Sequence, residues 1–313
     1  AYNVKKEEDI MIEIRHVTKH FDSITALNNV TFTIPGGRIF GLLGTNGAGK
    51  STLLRAMAGI LSCDAGEILI DGEACYDNPR VKESFFYLPD DPYYFPNASM
   101  EVMTGFYSRQ YKGMSAEAVR YMAERLELDT RRPLRTFSKG MKRQAFLIMA
   151  LCANTEYLLC DEVFDGLDPV VTEVMKELFL REMKEQSRTV VVAAHKLKDL
   201  EEFCQDIAIL HKGGMLLAGD MRRRAGEICK VQCVFDGEMN EKAKDYLSAC
   251  LEVVRFRQEG YFTTLIARGE KSEILEQIQK GNPVFCREAP MTLQEVFLAE
   301  MEGNGYDVSK VFQ

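Results

Sequence analysis

The stretch Gly44-Thr45-Asn46-Gly47-Ala48-Gly49-Lys50-Ser51-Thr52 has the spacing G-x-x-x-x-G-K-[ST], and its setting constrains the fold more than any other feature of the chain. Ahead of it lies Ile39-Phe40-Gly41-Leu42-Leu43, apolar on both faces, which suits a central strand covered on each side. Behind it, helical spacing predicts a helix over Lys50–Ile60. A strand, a glycine-rich turn and a helix in that order form a phosphate cradle. Enclosing a polyphosphate requires backbone N–H groups that point inward, and side chains at the turn would block the approach. Glycine permits both the close contact and the unusual dihedrals, and the helix adds its positive N-terminal end. Lys50 is expected to neutralise the β- and γ-phosphates and the Ser51 hydroxyl to ligate Mg²⁺. Gly44, Asn46, Gly47, Ala48, Gly49 and Thr52 complete the expected contact set.

Such a P-loop needs a metal ligand from a neighbouring strand. Tyr157-Leu158-Leu159-Cys160-Asp161-Glu162 is an apolar strand ending in two carboxylates, which point to different sides and can hold different roles. Asp161 is expected to meet Mg²⁺ through water. Glu162 is expected to face the attacking water as general base, a role that contributes about 10²–10⁴-fold. A further buried strand is predicted at Thr189–Ala193, and strands alternating with helices imply a parallel sheet.

Elsewhere the periodicity differs. Ile12, Ile14 and Val17, then Val30, Phe32 and Ile34, alternate with polar neighbours as half-buried antiparallel strands do, and Glu67–Ile70 is strand-like. Residues 85–111 are dense in aromatics, and helical patterning resumes from Ala116 and from Ser138. The predicted fold class is α/β: a P-loop core with a mainly parallel sheet, an antiparallel β subdomain and a helical subdomain at about 89–150, all within 11–220. The pattern changes near Asp220. Strands at Lys230–Phe235, Glu252–Arg257, Phe262–Ala267 and Val284–Cys286 and helices at Lys242–Cys250 and Ser272–Gln279 predict a small α+β domain over 221–313. Its last helix starts at Thr292, where Thr292 and Glu295 fit a capping box.

Between the two phosphate-site elements stands Phe137-Ser138-Lys139-Gly140-Met141-Lys142-Arg143-Gln144, opening a helix. This run resembles the signature motif of ABC ATPases, in the S-K-G-M form of some exporter subunits. In chain order, Phe21 sits where that family stacks an aromatic on adenine. Gly166-Leu167-Asp168-Pro169 looks like its D-loop and His195 like its switch histidine. The resemblance spans residues 12–220 and implies an ATP sandwich. Two cassettes would pair head to tail, each Ser138–Gly140 turn closing on the γ-phosphate held by the other chain's Lys50. Gly166–Asp168 would cross the same interface, and His195 would contact the γ-phosphate. One cassette per chain implies a second ATP-binding subunit, most simply a second copy.

The family also implies a separate integral membrane permease moved by ATP hydrolysis. Two readings stand for Tyr93, Tyr94 and Phe95, a permease-docking surface and a helical-subdomain core; core is the expectation for Phe106 and Tyr107. The ending Met291–Leu298 resembles that of exporter-type subunits, either as a dimer-stabilising or regulatory element or as plain packing of Leu293, Val296 and Phe297. Asp90, in Tyr87-Leu88-Pro89-Asp90-Asp91-Pro92, departs from the pattern, because the family usually has glutamine there. The aspartate either ligates Mg²⁺ or stands back from the metal and signals to the partner.

Composition bounds the alternatives. No apolar run approaches the roughly 20 residues of a membrane span; the strongest, Ala145–Ala153, has nine. The chain is therefore expected to be cytoplasmic and peripheral on the inner face of the cell membrane, held there by its partner. Residues 1–10 lack an apolar h-region, so no signal peptide is expected. A net charge of −8 argues against nucleic acid as a partner. Nine cysteines without a C-x-x-C pair suit free thiols in a reducing compartment. The compact basic cluster Arg222–Arg224 reads as a solvated helix face or a contact for anionic headgroups. A soluble ABC-type ATPase, or an ATP-gated regulatory module uncoupled from transport, is the alternative function. Asp90→Gln is expected to preserve ATP binding; a nucleotide titration in which affinity vanishes would show the assignment of this loop to be mistaken.

Overall fold

The computed structural model describes residues 11–201, 203–220 and 226–303. The chain divides into two compact units that meet between Gly219 and Asp220. The basic cluster at Arg222–Arg224 lies outside the described residues.

The first unit contains two sheets. Strands β1 (Met11–Phe21), β2 (Ile24–Pro35), β4 (Ala65–Ile70) and β5 (Glu73–Ala74) form an antiparallel sheet in the order β2-β1-β4-β5. β1 runs four residues past the predicted Val17 and pairs with β2 across register shifts, so its apolar alternation fades beyond that point. Strands β3 (Ile39–Leu43), β6 (Phe85–Leu88), β7 (Tyr157–Asp161), β8 (Thr189–Ala194), β9 (Asp206–His211) and β10 (Gly214–Asp220) form the second sheet, in the order β10-β9-β3-β8-β7-β6. Five of these strands, from β6 to β9, run parallel. β9 turns into β10 through Lys212 and Gly213, both with positive φ, the geometry of a tight hairpin. β3, β7 and β8 are buried along their whole length, as their unbroken apolar runs require.

The helix after the glycine-rich loop, Lys50–Met57, lies between the sheets. Leu53, Leu54, Ala56 and Met57 share one core with Ile12, Ile14 and Val30 of the antiparallel sheet and with Leu159 and Val191 of the parallel one. It ends earlier than the predicted Ile60, because Gly59 adopts φ +61 and its N–H bonds back to the Ala56 carbonyl. Helices Met100–Tyr107, Ala116–Arg125 and Lys139–Cys152 are inserted between β6 and β7, each opened by a serine whose hydroxyl caps the first turn. Phe106 and Tyr107 are half-buried rather than fully enclosed, in a ring cluster with Phe86, Phe95 and Tyr111. Tyr93 remains 72% exposed, and Tyr94 is half-buried against Phe146.

The second unit alternates strand and helix: β11 (Ile228–Val234), helix Glu238–Cys250, β12 (Glu252–Glu259), β13 (Phe262–Arg268), helix Lys271–Lys280, β14 (Phe285–Glu288). The sheet order β12-β13-β11-β14 makes this a β-α-β-β-α-β unit of ferredoxin-like type. Val231, Cys233, Leu265 and Ala267 pack under Ala243, Leu247, Ile274 and Ile278 of the two helices. The first helix starts four residues before the predicted Lys242, at a Gly237 of positive φ. In the final helix, Leu293–Gly303, Thr292 and Glu295 cap each other reciprocally. Val296 is buried there, while the side chains of Leu293 and Phe297 lie outside the described set. No helix among the described residues is long and apolar enough to cross a membrane, and all nine cysteines are free thiols.

Leu159 is the middle residue of β7, has no exposed surface and belongs to the shared core. Leu159→Ala is expected to lower stability by about 2–5 kcal/mol, read as a fall in the urea midpoint of unfolding.

Candidate functional site

Four parallel strands deliver the predicted residues to one edge of the sheet. Gly44 follows β3, Asp90 follows β6 by two residues, Asp161 ends β7 with Glu162 next, and His195 follows β8. Ligands of open α/β sheets bind at such carboxyl ends. The register brings them level. Leu43 of β3 pairs with Ala194 of β8, Asp161 of β7 pairs with Ala193, and the Glu162 N–H continues the ladder to the Ala193 carbonyl at 3.1 Å.

The loop is shaped by close backbone approach. A Cβ on Gly49 would lie 2.4 Å from the Ala26 carbonyl of β2, and Gly49 also has φ +104, so no other residue fits without displacing the strand. The helix it opens has no side-chain cap on its first N–H groups, which leaves them for an anion. A cavity of ≈ 490 Å³ lies against this loop, lined by Asn46, Gly47, Ala48, Gly49, Lys50, Ser51 and Thr52, by Ile24 and Ala26 of β2, and by Asp90 and Glu162.

Lys50 is 5% exposed and donates to the Gly44 carbonyl at 2.7 Å and the Thr45 carbonyl at 3.3 Å, with Glu162 Oε1 at 3.2 Å. Glu162 Oε2 lies 2.8 Å from His195 Nδ1. The glutamate is therefore held between a cation and an imidazole. Its backbone has φ +50, in the left-handed region that a glutamate seldom enters, a strain typical of functional positions. Burial pushes the Asp161 carboxyl above its usual range, with Glu162 and Asp90 adding to the rise and the Ser51 hydroxyl and Lys50 opposing it. Asp161 Oδ1 is buried and has no hydrogen-bond partner in the protein. An orphaned hard oxygen beside a serine hydroxyl suits a divalent cation, so the residues present fit Mg²⁺.

Other predicted residues are placed differently. Phe21 is 43% exposed at the tip of the β1–β2 hairpin, paired in register with Ile24, and does not itself line the cavity. Ser138 is exposed and caps its helix through Met141 N–H. Gly140 lies beside the Gly166 carbonyl, and Asp168 is exposed and caps the helix Pro169–Gln186. None of these three lines the cavity. Asp90 does line it, and its Oδ1 accepts from Arg143.

Arg143 is the residue whose role the sequence reading missed. It is 5% exposed on the helix Lys139–Cys152, donates to the Glu162 carbonyl and pairs with Asp90, with Asp165 at 3.8 Å. Burial raises the Asp165 carboxyl, but Lys139, Arg143 and His195 outweigh it and hold the group below its usual range. A signal was present: Arg143 shares a helix stripe with Phe146, Leu147 and Ala150, all buried, and a cation in such a stripe needs carboxylate partners.

A strand-loop-helix phosphate cradle with a lysine, a serine and paired carboxylates at the carboxyl edge of a parallel sheet defines a P-loop nucleoside triphosphatase. A family model described as ABC transporter matches residues 27–165. The ABC transporter ATP-binding protein YtrB of Bacillus subtilis (strain 168) is 29% identical over 293 residues, covering 94% of this chain and 99% of that protein. That likeness reaches into both units. An uncharacterized ABC transporter ATP-binding protein of the same organism, YhaQ, is 32% identical over 68% of this chain and 72% of its own length. A solved ATP-binding subunit of an ABC transporter superposes with a TM-score of 0.62 at 26% identity, over 69% of this chain and 93% of that one. This chain belongs to the ABC transporter ATP-binding proteins and is an ATPase of that family.

Lys50→Ala removes the cation beside the loop and Glu162. Charged hydrogen bonds contribute about 1.5–3 kcal/mol, so ATP affinity measured by calorimetric titration is expected to fall at least about tenfold.

Proposed function

We propose that the chain binds MgATP in a head-to-tail pair with a second ATP-binding subunit, most simply a second copy, and that hydrolysis drives a separate permease for export. ATP-binding subunits of this family work with membrane permease components. The observation that carries the reading is the division of the site. Lys50, Ser51, Asp90 and Glu162 line one cavity, whereas Ser138, Gly140 and Asp168 do not line it, and Ser138 and Asp168 are exposed. The half of the site that would seal the γ-phosphate is thus presented outward, where a second copy can use it.

In this reading the N–H groups of the loop and Lys50 bind the polyphosphate, and Ser51 and Asp161 hold the Mg²⁺. Bound Mg²⁺ would neutralise charge on the β- and γ-phosphates. Asp90 Oδ1 is engaged by Arg143, which favours a role for Asp90 set back from the metal. Glu162 orients the attacking water and accepts its proton, while His195 holds the carboxylate oxygen that Lys50 does not. A γ-phosphate entering the cavity competes with Glu162 for Lys50, which frees the carboxylate for the water. Phe21, at the tip of the β1–β2 hairpin, would stack on the adenine.

The export direction is supported by the S-K-G-M form of the signature and by the ending Met291–Leu298. Exposed Tyr93 and Phe95 offer an apolar contact for the permease, and the position follows as peripheral on the cytoplasmic face. Domain limits of 11–220 and 221–313 belong to the same proposal, with the C-terminal unit stabilising the pair.

Glu162→Gln is expected to lower ATP turnover by about 10²–10⁴-fold while ATP-dependent pairing persists in light scattering. A variant that stays monomeric with saturating nucleotide would refute the head-to-tail reading.

A further inference from the structure

The departure at position 90 has a counterpart elsewhere in the chain. A carboxylate stands where the resembled family has a neutral amide, and the same structure buries a guanidinium that meets it. Arg143 is five residues beyond Ser138 on the signature helix, and its side chain is 5% exposed, against 56% for Asp90. One amino group of the fork meets Asp90 Oδ1 and the other donates to the main-chain carbonyl of Glu162. The crevice that Arg143 and Asp90 share with Asp161 has only ≈ 10 Å³, about the lower limit for a single water. The buried arginine head is therefore held by protein groups, with Asp90 as its directly bonded carboxylate and Asp165 further off at 3.8 Å.

The second contact has consequences for catalysis. Glu162 occupies the left-handed region at φ +50, and its carboxylate is fixed by Lys50 at 3.2 Å and by His195 at 2.8 Å. A donor on the carbonyl of a residue in that conformation fixes the peptide plane there, and so steadies the backbone from which the carboxylate projects. Arg143 is the side-chain donor on that carbonyl. A planar fork presents its N–H groups to a carbonyl and a carboxylate in fixed directions; a lysine offers rotatable donors without that fixed geometry.

We infer that Arg143 is a positioning residue for ATP hydrolysis, with Asp90 as its counter-ion: the pair ties the loop after β6 and the signature helix to the main chain of the general base. The inference rests on Glu162 being that base. It assigns Asp90 to work through Arg143 rather than to bind the nucleotide. It also explains how the charge at position 90 is accommodated, since a cation five residues into the same helix as Ser138 neutralises it.

The test uses the full chain, comparing steady-state Mg-ATPase kinetics of the unaltered protein with Arg143→Gln, Arg143→Lys, Asp90→Gln and the double variant Asp90→Gln/Arg143→Gln. Misaiming a catalytic group by about 1 Å costs up to about 100-fold. Each single glutamine substitution is expected to lower kcat by about 10–100-fold, with KM for ATP changed less than about twofold, since neither residue holds the nucleotide. Arg143→Lys is expected to fall between the glutamine variant and the unaltered protein. The double variant, which removes both members of the pair, is expected to be no slower than Arg143→Gln alone, because Asp90 acts through Arg143. It also guards against misfolding of the single variants, checked by thermal unfolding. An unchanged kcat in Arg143→Gln, a rise in KM at constant kcat, or a double variant as slow as the product of the two single effects would each overturn the inference. Glu162→Gln separates the two failures. If it retains turnover, the general-base reading is wrong; if it is inactive while Arg143→Gln is fully active, only the positioning role fails.

Discussion

The site depends on one carboxylate held from two directions. Glu162 lies between the Lys50 ammonium and the His195 ring, and each of the three comes from the end of a different element. None of these contacts exists unless β3, β7 and β8 end level with one another, which the parallel register of adjacent buried strands enforces. The unusual backbone angle of Glu162 persists because the strand ladder, Arg143 and the flanking side chains all constrain it. The strain is stored at the point where the chemistry needs a fixed direction.

The cradle depends in turn on the antiparallel sheet. Gly49 approaches the Ala26 carbonyl so closely that a single Cβ would collide, and Ile24 and Ala26 line the cavity. The same sheet supplies the core that covers the Lys50–Met57 helix from above. The subdomain that might be taken for decoration therefore holds the helix whose N-terminal end binds anions. The second unit has a separate core of its own beneath two helices, and its strand order follows the ferredoxin-like pattern.

Much of the first unit was legible because the relevant signals are local. The G-x-x-x-x-G-K-[ST] run, the apolar strand ending in Asp161-Glu162 and the serine that opens the signature helix are read within ten residues or fewer. Boundaries failed where tertiary contacts or single residues intervened. Gly59 stopped the first helix early, Gly237 started another sooner than periodicity suggested, and β1 outran its alternating pattern through register shifts. The half-burial of Phe106 and Tyr107 was likewise a matter of neighbours, since a ring cluster shares its surface among several members. The ferredoxin-like order of the second sheet was not legible as such, because strand predictions carry no information about which strand lies beside which.

Sequence alone determined the chemistry of the phosphate cradle, the identity of the paired carboxylates and the alternation of strand and helix, because glycine spacing, charge and apolar period act over a few residues. It also exposed the anomaly at Asp90 without revealing its partner. Only the tertiary structure decided that Arg143 meets Asp90 and the Glu162 carbonyl, that Glu162 sits between Lys50 and His195, and that Ser138 and Asp168 do not line the cavity. The reason is separation along the chain: Arg143 and Asp90 are 53 positions apart and His195 and Glu162 are 33 apart. Contacts at that range are set by how strands pair and helices pack, and no local pattern encodes them.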